Sequence, residues 1–205
     1  MSVIEVERKR ELADAEALKA RLVEADYREA GNGVEIDIYY SRPDIDFLAT
    51  VECLRVRRRD RFAEITYKPA STADTHRAAH VIAKPEINVV LSGPDQATAA
   101  DTLLDVLGMV RLCRVEKTRT TFRHPDRDDV TVVIDLVTGV GAFAETEVMA
   151  ADPDAAATLL DQVERQLGLA DCAVVRLPYR DLVLQHEPAG AAPAPGKPHS
   201  GHLPS

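Results

Sequence analysis

The sequence predicts an α+β fold in which about eight strands curl into a barrel with a charged interior and helices packed outside. Three observations predict it. Segments of strand period dominate the chain, with a few helical stretches between them. The polar faces of those strands repeatedly carry ionised residues two apart. Their opposite faces carry Ile4 and Val6, Leu54 and Val56, or Ile65 and Tyr67, which suit packing under helices.

Residues 3–9 alternate, with Ile4 and Val6 on one face and Glu5, Glu7 and Lys9 on the other. From Glu11 to about Tyr27 the period becomes helical, with Leu12, Ala15, Leu18 and Leu22 on one face. Gly31-Asn32-Gly33 reads as a turn before a strand from Val34 to Tyr40, and 43–49 is a connection without clear period. Residues 52–59 and 62–68 form a hairpin around Arg59-Asp60-Arg61. The stretch 69–83 reads as a polar loop. Glu86 to Leu91 is a strand; Ser92-Gly93-Pro94-Asp95 turns into a helix that stops at Gly108. Strands follow near 110–123, 129–138 and 143–149, and Pro153 opens a helix that ends at Gly168. A short strand at 174–176 and a short helix at 180–185 complete a unit spanning 1–186. Residues 187–205 are rich in Pro, Ala and Gly and read as a disordered tail. Strand, helix and further strands occur twice, which suggests two related halves.

With 205 residues, 25 Lys and Arg against 34 Asp and Glu give a net charge of −9. Such acidity argues against a non-specific nucleic-acid binder, which needs a basic footprint. No run approaches the roughly 18 apolar residues of a membrane helix. The charged N-terminus lacks a signal-peptide core. Cys53, Cys113 and Cys172 are widely spaced and read as reduced thiols. The expectation is a cytoplasmic protein with no nucleic-acid or membrane partner.

The charged positions carry the chemistry. Glu5, Glu7 and Lys9 share a strand face; so do Arg55, Arg57 and Arg59; so do Lys117 and Arg119; so do Glu145 and Glu147. Thr66 and Lys68 continue the series, and Asp135 interrupts a β-branched run. A sheet with one solvated face would explain any single strand. It explains the set less well, because Ser, Thr, Gln and Asn would serve equally there. Turned inward, the basic side chains suit a polyphosphate, since Arg forks and Lys ammonium groups bind phosphate oxygens. The carboxylates suit hard divalent cations such as Mg²⁺ or Mn²⁺. The picture is an acidic exterior around a partly basic tunnel.

Glu5-Val6-Glu7-Arg8-Lys9 resembles the ExExK signature of the CYTH superfamily, the triphosphate tunnel metalloenzymes. Asp37-Ile38-Tyr39-Tyr40, Glu52-Cys53-Leu54-Arg55-Val56-Arg57, Thr66-Tyr67-Lys68, Glu86, Lys117-Thr118-Arg119, Asp135-Leu136-Val137 and Gly141 to Glu147 follow in the family's order. Residues 37–43, 50–55 and the Gly-x-Gly-x-Phe-x-Glu-x-Glu ending resemble the class IV adenylyl cyclase group more than the thiamine triphosphatases. The resemblance implies an antiparallel, eight-stranded closed β tunnel flanked by helices. It implies that Glu5, Glu7, Glu145 and Glu147 hold Mg²⁺ or Mn²⁺. Lys9, Arg55, Arg57, Lys68, Lys117 and Arg119 would grip the triphosphate, with Asp135 as metal ligand or orienter and Glu86 as a further member. Glu35 stands where the group often has Gln, and Pro69 where Gly is usual; these departures bear on the nucleoside region.

The implied activity is conversion of ATP to cyclic AMP and pyrophosphate. Hydrolysis of inorganic triphosphate, thiamine triphosphate or a nucleoside triphosphate is the alternative enzyme, and a non-catalytic nucleotide or polyphosphate sensor the alternative module. A homodimer is left open. Carboxylates lacking their cations would repel one another and carry raised pKa values. His76 and His80 could share a helix face as metal ligands, but a polar loop and no third ligand argue against it. His199 and His202 fall in the tail. The Arg55–Arg61 cluster lacks the interleaved aromatics of a nucleic-acid platform. Tyr39, Tyr40 and Tyr67 read as packing residues or, alternatively, as substrate contacts.

Overall fold

The alternation at period two resolves into one antiparallel sheet, seen in a computed structural model that describes residues 4–70, 76–77, 81–82 and 86–186. Side chains are described over 6–70 and 86–186. The expected tail, His80, His199 and His202, and the side chains of Glu5 and His76 lie outside the described residues. The strands are β1 (Ile4–Leu12), β2 (Arg28–Ser41), β3 (Cys53–Arg59), β4 (Phe62–Lys68), β5 (His76–Arg77), β6 (Val81–Ile82), β7 (Ile87–Leu91), β8 (Val110–His124), β9 (Arg127–Val137) and β10 (Gly141–Ala150). The helices are α1 (Ala15–Glu24), α2 (Pro94–Val106), α3 (Pro153–Gln166) and α4 (Tyr179–His186).

Spatial order in the sheet is β5-β6-β1-β10-β9-β8-β2-β3-β4-β7. Exchanging β1 with β7, β2 with β8, β3 with β9 and β4 with β10 reverses the order of the eight longer strands onto itself. Each half is therefore a strand, a helix and a three-strand meander, and the halves join along the long β2–β8 ladder. The two expected halves are present in the topology. The expected closed ring is not: among the described residues no ladder joins β7 to β5 or β6.

Local boundaries follow cap and turn chemistry. β1 continues through Leu12 instead of yielding to a helix at Glu11, because Asp14 is the N-cap, accepting from the Ala17 N–H at 3.0 Å. Gly31-Asn32-Gly33 is not a turn; it lies inside β2, where a register shift between Glu29 and Gly31 absorbs the glycines. The stretch read as a polar loop contains the two-residue strands β5 and β6. Gly139 (φ 75°) and Gly141 (φ 150°) turn β9 into β10 through backbone angles that side chains disfavour.

The outer face of the sheet is apolar. Val6, Val132, Ile134 and Val148 pack beneath Leu18 and Leu22 of α1 and Leu160 and Val163 of α3. Ile38, Tyr40, Val56 and Ala63 pack beneath Ala97 and Ala100 of α2. Each Leu or Val so buried contributes about 1.5–3 kcal/mol. Polar anchors cross these layers. Asp101 of α2 accepts from the Tyr40 hydroxyl at 2.7 Å and pairs with Arg58.

A buried ionic cluster ties β1 to α3. Arg8 and Arg10 occupy the outer parity of β1, opposite Glu7 and Lys9. Glu164, 1% exposed, accepts from Arg8 at 2.9 Å and from Arg10 at 2.6 Å. Asp161 accepts from Arg8 at 2.6 Å, and the carbonyls of Ala170 and Cys172 take further Arg10 protons. Removing one partner of such a cluster strands buried charge. Glu164→Ala is expected to lower stability by about 3–5 kcal/mol in urea titration. A loss under about 1 kcal/mol, the range of a solvated surface pair, would show that the cluster contributes nothing.

Candidate functional site

The inner parity of the same strands is charged. Curling of the sheet encloses a cavity of about 460 Å³ lined from β1, β3, β4, β8 and β10, by Tyr39 of β2 and by Asn88 of β7. Lys9, Arg55, Arg57, Lys68, Lys117 and Arg119 all line it, so the six basic residues singled out in the sequence converge from four strands. Glu86 lines it too and accepts an ion pair from Lys68 at 2.9 Å.

None of these cations could be buried alone, and the chain supplies acids beneath them. On β2, Asp37 receives a two-pronged grip from Arg57, both bonds at 2.7 Å, and lies 3.6 Å from Arg55. Burial alone would raise the Asp37 pKa; Arg57 and Arg55 outweigh it and hold the carboxyl well below the usual range. Glu35 sits among Arg59 at 2.8 Å, Lys117 at 3.3 Å and Arg57 at 3.5 Å, and is likewise held down against its burial. On β9, Asp135 is fully buried and accepts from Lys117 at 3.1 Å and Arg119 at 2.7 Å. Burial, followed by neighbouring Arg119, depresses the Lys117 pKa.

Three carboxylates cluster at the β1–β10 side. Glu7, Glu145 and Glu147 each place an oxygen within 4.8 Å of the others. Three hard oxygen donors at that spacing fit a divalent cation of the Mg²⁺ or Mn²⁺ type. Glu145 also pairs with Arg119 and lies 3.5 Å from the Lys9 ammonium. The expected rise in carboxylate pKa is therefore corrected at Glu145. Burial pushes it up, but Arg119, Lys9 and Lys117 pull it below the ordinary range.

One end of the cavity is apolar. Tyr39, Val115, Val137 and Phe143 of the inner face pack against Tyr179, Leu182 and Val183 of α4. The Tyr179 ring lies over the ammonium groups of Lys9 at 4.0 Å and Lys117 at 4.9 Å. The chain before α4 is stitched to β1: the Val175 N–H donates to the Lys9 carbonyl at 2.9 Å, and the Lys9 ammonium donates to the Leu177 carbonyl at 3.1 Å. Arg180, 2% exposed, donates to the Glu52 carbonyl at 2.6 Å. It thereby fixes the rim beside Val51, a β-branched residue at φ 56°.

The charge pattern thus brings together every described member of the predicted set, with Asp135 one layer below the lining and Glu5 outside the described side chains. Glu35 is not among the lining residues; it lies beneath the cations, paired with Arg59, Lys117 and Arg57. Glu35 and Asp37 went unassigned as counter-ions, although they share the two-residue spacing that flagged the other strands. Arg176, Tyr179 and Arg180 also line the cavity and carry no strand-period signal, since Arg176 lies in the irregular stretch before α4 and Tyr179 and Arg180 open that short helix. The interior is not predominantly basic: the cations are matched by acids from neighbouring strands.

Comparison with known proteins places this architecture. The sequence model of the CYTH domain matches residues 3–176. A Methanocaldococcus jannaschii protein named "putative adenylate cyclase" is 24% identical over 183 residues, covering 88% of this chain and 98% of its own. The solved structure of the PH1012 protein of Pyrococcus horikoshii superposes with a TM-score of 0.72 at 23% identity, covering 87% of this chain and 98% of that one. A Hippeastrum structure, described as a putative adenylyl cyclase with a dominant triphosphatase activity, reaches 0.60 at 15% identity, covering 82% and 89%. Both structures share the fold. Matched over most of its length, with the signature strands lining one cavity, the chain belongs to the CYTH domain family.

Proposed function

We propose that the cavity binds a triphosphate together with Mg²⁺ or Mn²⁺, and that the protein is an adenylyl cyclase converting ATP to cyclic AMP and pyrophosphate. The observation that carries the reading is the convergence of six basic side chains and three clustered carboxylates on one cavity. In this reading residues 1–186 are the catalytic unit and the curled sheet supplies the walls of the site. The cytoplasm, where ATP and Mg²⁺ abound, is where it works.

Lys9, Arg55, Arg57, Lys68, Lys117 and Arg119 hold the phosphate oxygens, and Asp37 and Asp135 fix the directions of the arginine forks. Glu7, Glu145 and Glu147, with Glu5 from the same strand face, hold the cation. When bound, the cation acts as a Lewis acid on the phosphate oxygens and the attacking hydroxyl. The ribose 3′-oxygen attacks the α-phosphorus in line. That P–O bond forms as the bond to pyrophosphate breaks, and the hydroxyl proton is released. Arg55, Arg57 and Lys117 stabilise charge developing on the leaving pyrophosphate.

A second reading, hydrolysis of a triphosphate, is favoured by the triphosphatase activity described for the Hippeastrum relative. The same residues serve it, with water attacking an outer phosphorus. Incubation with ATP, inorganic triphosphate or thiamine triphosphate plus Mg²⁺ or Mn²⁺, followed by chromatography, separates the cases. Cyclic AMP with pyrophosphate is the expected product; orthophosphate with the corresponding diphosphate and no cyclic AMP would replace the cyclase by the hydrolase, and binding without turnover would make the protein a sensor.

Glu7→Gln keeps the size of the side chain and removes its charge from the carboxylate cluster. It is expected to lower turnover by about 100-fold or more while leaving the far-ultraviolet circular dichroism unchanged. Full activity in this variant would remove Glu7 from the site.

A further inference from the structure

The acids of the cavity divide into two sets. Asp37, Asp135 and Glu35 are counter-ions of the cations and are not members of the three-carboxylate cluster. Glu7 and Glu147 belong to that cluster, and the Glu147 carboxylate stands 3.9 Å from Arg119. Glu145 belongs firmly to both sets. Its carboxylate pairs closely with Arg119 and stands 3.5 Å from Lys9, yet it also lies within 4.8 Å of the other two cluster carboxylates. It is buried, so these attractions are screened far less than at the surface.

We propose that Glu145 is an exchangeable counter-ion: it occupies Arg119 and Lys9 in the empty cavity and releases them to a polyphosphate when a divalent cation joins Glu7 and Glu147. This rests on the polyphosphate reading above and adds to it a coupling between the two ligands. Without the cation, an incoming polyanion must displace Glu145 from two of its cations and also meets three carboxylates. With it, the Glu145 charge is engaged elsewhere, and Arg119 and Lys9 turn their protons to phosphate oxygens. Linkage makes the effect reciprocal, so polyanion binding tightens cation binding by the same factor. The coupling belongs to the protein and does not require the cation and the anion to touch.

Calorimetric titration of inorganic triphosphate in EDTA reads the exchange without activity. Glu145→Gln removes the negative charge that competes for Arg119 and Lys9, leaving Arg119 its Asp135 partner, so it is expected to bind triphosphate more tightly than wild type, by about tenfold within the usual 5- to 150-fold range of coupling. Glu147→Gln, which removes one negative charge at a longer distance from Arg119, is expected to change affinity much less. Equal or weaker binding by Glu145→Gln, or an equal gain in both variants, would overturn the exchange. A wild-type measurement guards against misfolding of the variant: inorganic triphosphate, with its own chelation of Mn²⁺ measured in a protein-free titration and subtracted, is expected to tighten Mn²⁺ binding followed by the free-ion paramagnetic resonance signal, and unchanged Mn²⁺ affinity would overturn the coupling. If wild type and both variants bind no triphosphate at all, the polyphosphate reading falls, and the exchange with it.

Discussion

Pairing of inward-facing cations with acids from the neighbouring strand is the constraint on which the rest of the structure depends. Moving an ammonium or guanidinium out of water costs several kcal/mol unless a partner compensates. Each half of the sheet solves this across its first hairpin, but with opposite signs. In the first half β2 supplies the acid, Asp37, and β3 the cations, Arg55 and Arg57. In the second half β8 supplies the cations, Lys117 and Arg119, and β9 the acid, Asp135. Where the halves meet, Glu35 of β2 closes the circuit with Lys117 of β8. The inversion brings cations from both halves to one cavity while each retains a counter-ion at hydrogen-bond distance or near it.

This arrangement tolerates no slip in register. A one-residue shift of β1 would turn Glu7 and Lys9 outward and bring Arg8 and Arg10 into the cavity. Outer-face chemistry opposes it, because Glu164 of α3 accepts from both arginines and would be left buried without either if they turned inward. The strand that carries the family signature is thus locked from behind by charge as well as by Val6 in the apolar layer. The segment after α3 then pairs its backbone with Glu11 and Lys9 before delivering Tyr179 and Arg180.

What was legible in the sequence is what recurs at period two. Glu7, Lys9, Arg55, Arg57, Lys117, Arg119, Glu145 and Glu147 declared themselves because a strand face repeats its chemistry, and the curl of the sheet followed from needing an inside for them. Partners were less legible. Asp37 shares that spacing, but which cation it meets depends on the β2–β3 register, set by long-range pairing. Glu164 lies on a helix whose polar residues read as solvated, and only the packing of α3 on β1 reveals that it is buried. Gly31-Asn32-Gly33 misled because local turn propensity was overridden by a fourteen-residue ladder. Tyr179 and Arg180 carry no periodic signal, and their placement depends on the stitching of residues 173–177 to β1.

Charge balance finally constrains what can enter. Around the cavity stand Lys9, Arg55, Arg57, Lys68, Lys117, Arg119, Arg176 and Arg180, facing Glu7, Glu52, Glu64, Glu86, Glu145 and Glu147, with Glu35, Asp37 and Asp135 beneath. Cations and carboxylates are nearly equal in number, so the site is a compensated lattice rather than a reservoir of positive charge. A small anion meeting such a lattice gains one contact and must loosen an existing pair to do so. Under the proposed function, a polyphosphate would touch several cations at once, and a divalent cation in the carboxylate cluster beside it would offset its extra negative charge. On the same reading, selectivity for a long polyanion over a single phosphate would follow from the pairing itself, since only a ligand that replaces many carboxylate contacts together can compete with counter-ions already held at 2.7–3.6 Å.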